Sequence, residues 1–341
     1  MQTLLIGVDG ALGIKETNTM KILSRNLGLK IETQYGPHRV VIMGVDGDTG
    51  VSASDVEVLL TPTYRYSQLR SKQTIFSEAG RMQQRVLLSK LSYGQYESPG
   101  AYLDSGALPT GKRFIAKPLF SARSMGQIVF DTTTQTAESW TKFFADCRGN
   151  LGHIEKYGKE WETIPESIRS LYGFGTRDAA LYLHAQKHGA TYFPGTQHRE
   201  NESIEQMRSS MYEEIVPDVQ NEYRLIFVAD KLMVAYERTL VSRELEHGII
   251  QRPFCGQESL DTRRFFIHEL DALMPGLKQF VKALHAEHQH PTWSLDLFST
   301  ARNTWGAFEF SPEYSLVDLT SKEQHDIYTE LVETWIRMSR S

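Results

Sequence analysis

Residues 292–311 read "TWSLDLFSTARNTWGAFEFS", two apolar runs around a short polar turn. On the first run, strand alternation puts Trp293, Leu295 and Leu297 on one face and Ser294, Asp296 and Phe298 on the other. On the second, Phe308 and Phe310 share a face, with Ala307, Glu309 and Ser311 opposite. A turn centred on Arg302-Asn303 sets residue 301 against 304, and Asp296 then faces Glu309. Any even-length loop with that centre gives the same pair. Two like charges directly opposed weaken a sheet. On strands this apolar, the arrangement makes sense around a cation. Hard oxygen donors suit magnesium, which takes one or two carboxylates and completes its shell with substrate phosphates. Asp296 and Glu309, with Ser311 as a third oxygen, are the expected metal ligands.

Working back along the chain, residues 113–130 read "RFIAKPLFSARSMGQIVF", a strand, a serine-containing loop and a second strand. Lys117 sits within an apolar strand and needs an anion to offset its burial. A lysine on one hairpin and a metal pair on another suggest a nucleotide held by both, whose phosphates would bring the lysine its counter-charge. "YEEIV" (212–216) reads as a strand, and "EYRLIFVADKLMVAYERT" (222–239) as a hairpin turning at Ala229-Asp230-Lys231. Helical patterns cover residues 77–91, 164–175, 176–189, 268–288 and 321–338. At the N-terminus, "TLLIGVDG" and "RVVIMGVDG" flank a helical stretch at 19–29, which predicts a strand–helix–strand α/β unit.

With 341 residues the chain is expected to form two or three subdomains. A net charge of −5 argues against a nucleic-acid footprint. The two cysteines, Cys147 and Cys255, form neither a disulfide framework nor a CxxC pair, which suits a reducing compartment. No signal peptide and no apolar run of roughly 20 residues is visible, so the expected location is cytoplasmic, with no membrane partner. Several motif fragments fail on inspection. "GALPTGKR" (106–113) has Arg113 where a phosphate-binding loop needs Ser or Thr, and a strand follows it. "GVDGALG" lacks dinucleotide-binding spacing, and "DGDTG" lacks the remaining calcium ligands. His184 and His188 lack the glutamate of a zinc-protease helix. His285, His288 and His290 sit where a helix should end, a favourable place for histidine beside the helix dipole.

Taken together these stretches resemble the ATP-grasp superfamily, over about residues 113–317 and in the expected order. The pattern is most similar to its glutathione-synthetase-like and ribosomal-protein-glutamate-ligase-like branch. The resemblance implies an α+β ATP-grasp fold, two α+β lobes gripping ATP, preceded by a small N-terminal α/β domain. The domains would run 1–108, 109–216 with a helical insertion at about 136–212, and 217–341. It implies that Lys117 contacts the α- and β-phosphates and that the loop with Ser121, Arg123, Ser124, Met125 and Gly126 covers the triphosphate. Glu214, Ile215 and Val216 would receive adenine, while Arg224 and Arg238 would face the γ-phosphate and the reacting carboxylate. Asp296, Glu309 and Ser311 would hold Mg2+, or Mn2+ in its place, with Ser311 standing where the family more often has asparagine.

The implied function is an ATP-dependent carboxylate–amine ligase working through an acyl phosphate. Its partners would be a small-molecule or peptide carboxylate and an amine acceptor, in a chain that could form a homo-oligomer as many relatives do. Two other readings stay open: an ATP-grasp phosphotransferase, and a catalytically lapsed nucleotide-binding scaffold. No match to the family's acceptor-substrate residues stands out around 242–262.

Overall fold

A computed structural model describes residues 2–7, 38–43, 58–60, 73–74, 81–118, 127–149, 176–193, 210–238, 240–245, 248–253, 263–290, 292–311 and 319–338. The first strands are β1 (Gln2–Gly7), β2 (His38–Met43), β3 (Val58–Leu60) and β4 (Gln73–Thr74). They form a parallel sheet in the order β2-β1-β3-β4, with Leu4 opposite Val40. Parallel neighbours need crossover connections. The helix expected there, at 19–29, lies outside the described residues.

The chain continues through α1 (Arg81–Lys90), β5 (Ala101–Tyr102), β6 (Arg113–Pro118) and β7 (Gln127–Asp131). Next come α2 (Ala137–Gly149), α3 (Thr176–Lys187), β8 (Thr191–Phe193) and β9 (Ser210–Glu214). β10 (Val219–Val228), β11 (Lys231–Arg238), β12 (Leu240–Leu245) and β13 (Gly248–Pro253) follow. Last are α4 (Ile267–Leu273), α5 (Leu277–His288), β14 (Thr292–Thr300), β15 (Trp305–Ser311) and α6 (Ser321–Met338). The architecture is α+β. Contacts divide the chain into one unit of Gly80–Val86 and Pro99–Pro217, and another of Met1–Ala79, Leu87–Ser98 and Asp218–Ser341.

The first of these units is built on a five-stranded sheet, β5-β9-β6-β7-β8. Alternation along β6 sends Phe114 and Ala116 into a core with Ile128, Phe130, Trp140, Phe144 and Tyr212, under α2 and α3. Ile115 and Lys117 therefore point to the other face. The same alternation on β9 buries Tyr212 in that core and turns Glu213 toward the lysine's side.

The second unit carries an antiparallel sheet, β11-β10-β14-β15. Its core face joins Tyr223, Leu225, Phe227, Trp293, Leu295 and Leu297 to Leu277, Phe280 and Leu284 of α5. Burying each large side chain is worth roughly 1.5–3 kcal/mol, so this apolar face, and not the charged one, stabilises the sheet. The helix expected over 268–288 is two helices. Pro275 has no N–H to continue the ladder, and Gly276 adopts φ 91, so the chain breaks between α4 and α5.

The hairpin of β14 and β15 differs from the expected even-length turn. Three residues, Ala301 to Asn303, form the loop, closed by the Thr300 N–H donating to the Thr304 carbonyl at 2.9 Å. Asn303 takes the left-handed conformation, φ 59, that a three-residue hairpin loop requires at its last position. Near this loop Phe298 faces Gly306 and Leu297 faces Ala307, a register that would have set Asp296 against Phe308. A bulge then inserts Phe308 as an extra residue, and beyond it Asp296 faces Glu309 and Leu295 faces Phe310. Loop and bulge offset one another, so the expected pair survives an incorrect turn. The faces of β15 change accordingly: Ala307 joins the core with Phe310, while Phe308 packs on Phe298, ring centroids 4.6 Å apart.

Candidate functional site

On the sheet face opposite α5, β14 and β10 set Asp296 directly beside Arg224, and β15 sets Glu309 on its other side. The Arg224 guanidinium donates Nε to Oδ1 and Nη2 to Oδ2 of Asp296, both at 2.7 Å. Arg238, from β11, donates Nη1 to the same Oδ2 at 3.1 Å. The three side chains are nearly buried, at 13%, 8% and 10% exposure for Arg224, Asp296 and Arg238. Burial works against the charge on Arg224, but the Asp296 carboxylate outweighs it and raises the guanidinium well above its ordinary range. Arg224 is therefore a permanent cation here. Two cations and two carboxylates thus share one strand face, brought there by period-2 alternation on four strands.

This donor set fits a divalent cation of the magnesium type. Asp296 and Glu309 offer hard oxygens from register partners, and Ser311 lies on the same face two residues beyond Glu309. Among the described residues no group of three or more His, Cys, Asp or Glu is arranged around a metal. A cation held here would depend on oxygens from a bound substrate, as magnesium in phosphate sites does.

In the other unit, the ammonium of Lys117 donates to Glu213 Oε1 at 2.9 Å. The register explains the contact. Lys117 faces Met211 and Ile115 faces Glu213, so lysine and glutamate are diagonal neighbours on one face, within reach of long side chains. Arg85, from α1, donates Nη2 to Glu213 Oε2 at 2.7 Å. All three are buried: Lys117 9% exposed, Arg85 4% and Glu213 2%. Burial alone would raise the Glu213 pKa, but the charges of Lys117 and Arg85 pull it below the ordinary carboxylate value. The counter-charge of Lys117 is thus built into the protein, which corrects the expectation that only a nucleotide would supply it. Two cations share this one carboxylate.

Glu213 and Arg85 escaped the sequence reading. Tyr212 in "YEEIV" is apolar, so alternation already sets Glu213 apart from it, but nothing in sequence reports the diagonal register or the arginine lying 128 residues away. The neighbouring Glu214 is bound by Lys112 at 2.7 Å and by the Tyr102 hydroxyl at 3.1 Å. The Ile215 N–H donates to the Arg113 carbonyl at 2.9 Å, while the half-buried Val216 has no backbone partner for its N–H among the described residues. Ser121, Arg123, Ser124, Met125 and Gly126, expected to cover phosphates, lie outside the described residues. Of the 242–262 stretch, only the backbone of β12 and β13 is described, and the rest lies outside the described residues.

Both histidine clusters pack against aromatic rings. His184 stacks on Phe143, ring centroids 5.1 Å apart, and His188 lies tilted against the same ring at 5.2 Å. His288 stacks on Phe310 at 4.9 Å and accepts the His290 N–H at Nδ1. Burial and its histidine neighbours push the His288 pKa down to about 3 and that of His290 to about 4, so both are neutral. No helix among the described residues is long and apolar enough to cross a membrane.

No family model matches the sequence, and no curated protein matches it. Solved structures of similar outline include a D-cycloserine synthetase, at 13% identity and TM-score 0.49, covering 97% of this chain and 99% of that one. A RimK domain protein ATP-grasp from Sphaerobacter thermophilus aligns at 11% identity and TM-score 0.47, over 97% of this chain and 98% of the other. A RiPP-associated ATP-grasp ligase of Chryseobacterium gregarium, in complex with ADP and a leader and core peptide, aligns at 8% identity and TM-score 0.45. That alignment covers 100% of this chain and 98% of the ligase. These are likenesses, and what the chain does has to be read from its residues.

Proposed function

We propose that the protein is an ATP-dependent carboxylate–amine ligase of the ATP-grasp type. What carries the reading is the face on which Arg224 and Arg238 converge on Asp296, with Glu309 as its register partner. That set has no nucleophile–base pair, but it suits a reaction in which positioning and charge neutralisation supply most of the catalysis. In the proposed reaction a substrate carboxylate oxygen bonds to the γ-phosphorus as the bond to the β-phosphate oxygen breaks, releasing ADP. An amine then attacks the acyl carbon, loses a proton and expels phosphate, leaving an amide.

Arg224 and Arg238 would steady the transferring phosphoryl group and the incoming carboxylate, and Lys117 would bind the phosphates of the nucleotide. The backbone of Ile215 and Val216, with Glu214, would receive adenine. Asp296, Glu309 and Ser311 would hold magnesium, which supplies Lewis-acid neutralisation of phosphate charge. The unit of Asp218–Ser341 would thus act as the lobe with the metal, and the unit containing Pro99–Pro217 as the lobe with Lys117.

The test is product analysis with ATP and magnesium against pools of carboxylic acids, with and without amines. ADP and phosphate formed only when acid and amine are both present establish the ligase. ADP with a stable phosphorylated product and no need of amine replaces it with a kinase. ATP bound without turnover against every pool would sink the ligase reading in favour of a binding protein.

A further inference from the structure

We propose that Lys112 is a positioning residue that sets a preference for adenine, by holding the Glu214 carboxylate so that the adjoining backbone keeps one fixed edge toward the base. This rests on the reading that the backbone of Ile215 and Val216 receives adenine. Lys112 belongs to "GALPTGKR", the fragment that fails as a phosphate-binding loop. Its backbone is anchored on Thr132: its N–H donates to the Thr132 hydroxyl at 3.1 Å, and its carbonyl accepts the Thr132 N–H at 2.9 Å. From that post the ammonium donates to both carboxylate oxygens of Glu214, at 2.8 and 2.7 Å. The Tyr102 hydroxyl donates to Oε1 at 3.1 Å, and its ring packs edge-on against Phe114. Glu214 is the register partner of the core residue Phe114, so its carboxylate lies on that side of the sheet and not on the side of Lys117 and Glu213. The base is thereby left to the backbone beside it.

That backbone is held from two directions. The Glu214 N–H donates to the Gly100 carbonyl at 2.8 Å, and the Ile215 N–H to the carbonyl of Arg113, the residue after Lys112, at 2.9 Å. The carboxylate lies close over Gly100, where an added Cβ would be 2.8 Å from Oε1. A fixed carbonyl and N–H match the donor and acceptor on the edge of adenine. Guanine presents the opposite order there and leaves polar groups unpaired. Loosening the edge therefore costs ATP its matched contacts, while GTP has none to lose. The Lys112 side chain is 49% exposed, so the ion pair adds little to folding and its removal leaves the fold in place.

The experiment is calorimetric titration of the purified full-length protein and its variants with magnesium-ATP and with magnesium-GTP, after a thermal melt confirms folding. The wild type is expected to prefer ATP. Lys112→Met lowers the ATP-over-GTP affinity ratio about fivefold, the most that a half-exposed pair contributes, with GTP binding held within about twofold. Lys112→Arg, which keeps the charge, holds the ratio within about twofold. A wild type that does not bind ATP removes the nucleotide reading and the proposal with it. A wild type that binds GTP as well as ATP overturns the base preference alone. So does a Lys112→Met protein that keeps the wild-type ratio or weakens both nucleotides alike, or a Lys112→Arg protein as impaired as Lys112→Met. Should Lys112→Met fail to fold, Gly100→Ala, which displaces the Glu214 carboxylate, decides by the same ratio.

Discussion

At the scale of single residues, both carboxylates of the charged face act on Arg224. Asp296 holds two guanidiniums that are nearly buried with it. Asp296→Asn would take from both guanidiniums the carboxylate they share, and removing one partner from a buried ion pair costs about 3–5 kcal/mol. A denaturant titration should show that loss, so lost activity in this variant would mix a chemical with a structural cause. Glu309 lies across the strand from Asp296, and its charge also favours the Arg224 cation. Glu309→Gln is expected to abolish magnesium-dependent ATP turnover. A Glu309→Gln protein hydrolysing or transferring from ATP at the wild-type rate would remove Glu309 from the metal assignment.

Among elements, the hairpin of β14 and β15 and the segment covering its edge decide how the charged face is held. Residues 93–98 run along β15: the Trp305 N–H donates to the Gln95 carbonyl at 3.2 Å, and the Glu97 N–H to the Trp305 carbonyl at 2.7 Å. Tyr96 fills the gap between Trp305 and Phe280, ring centroids 5.0 and 4.7 Å away. The approach is close enough to demand glycine at 306, where an added Cβ would lie 2.2 Å from the Glu97 carbonyl oxygen and 2.4 Å from the Phe298 ring. Backbone cannot swing aside as a flexible side chain does, so Gly306→Ala should destabilise by about 1–3 kcal/mol or more, as overpacked cores do. Chemical denaturation checks the cost. Wild-type stability in Gly306→Ala would mean that the 93–98 segment does not pack on β15 this closely.

For the molecule as a whole, the buried histidines set a pH dependence of stability. His288 and His290 have folded-state values near 3 and 4, below the ordinary value of 6.5 that they regain on unfolding. The unfolded chain thus binds more protons below pH 6.5, and acid favours it. Stability from these groups is complete above about pH 6.5 and falls as the pH drops toward 4, by up to about 1.4 kcal/mol per pH unit for each histidine. The depressed carboxyl of Glu213 adds in the same direction at lower pH, since protonating it breaks its ion pairs. Thermal melts from pH 7.5 to 4.5 should show this slope, and His288→Phe, which keeps the stack on Phe310, should reduce it. An unchanged slope in His288→Phe would locate the acid sensitivity elsewhere.

The alternation of apolar and polar residues by itself determined that Asp296 and Glu309 lie opposite the apolar faces of their strands, because the period of a strand leaves a side chain only two directions. It also determined that Lys117 points away from the core of Phe114 and Ala116. The charge that accompanies Lys117 belongs to the tertiary structure, since Glu213 and Arg85 reach it through a diagonal register and a helix far away in sequence. Tertiary structure likewise decided how Asp296 came to face Glu309. A three-residue loop shifted the register one way and the bulge at Phe308, whose ring packs on Phe298 from the other strand, shifted it back.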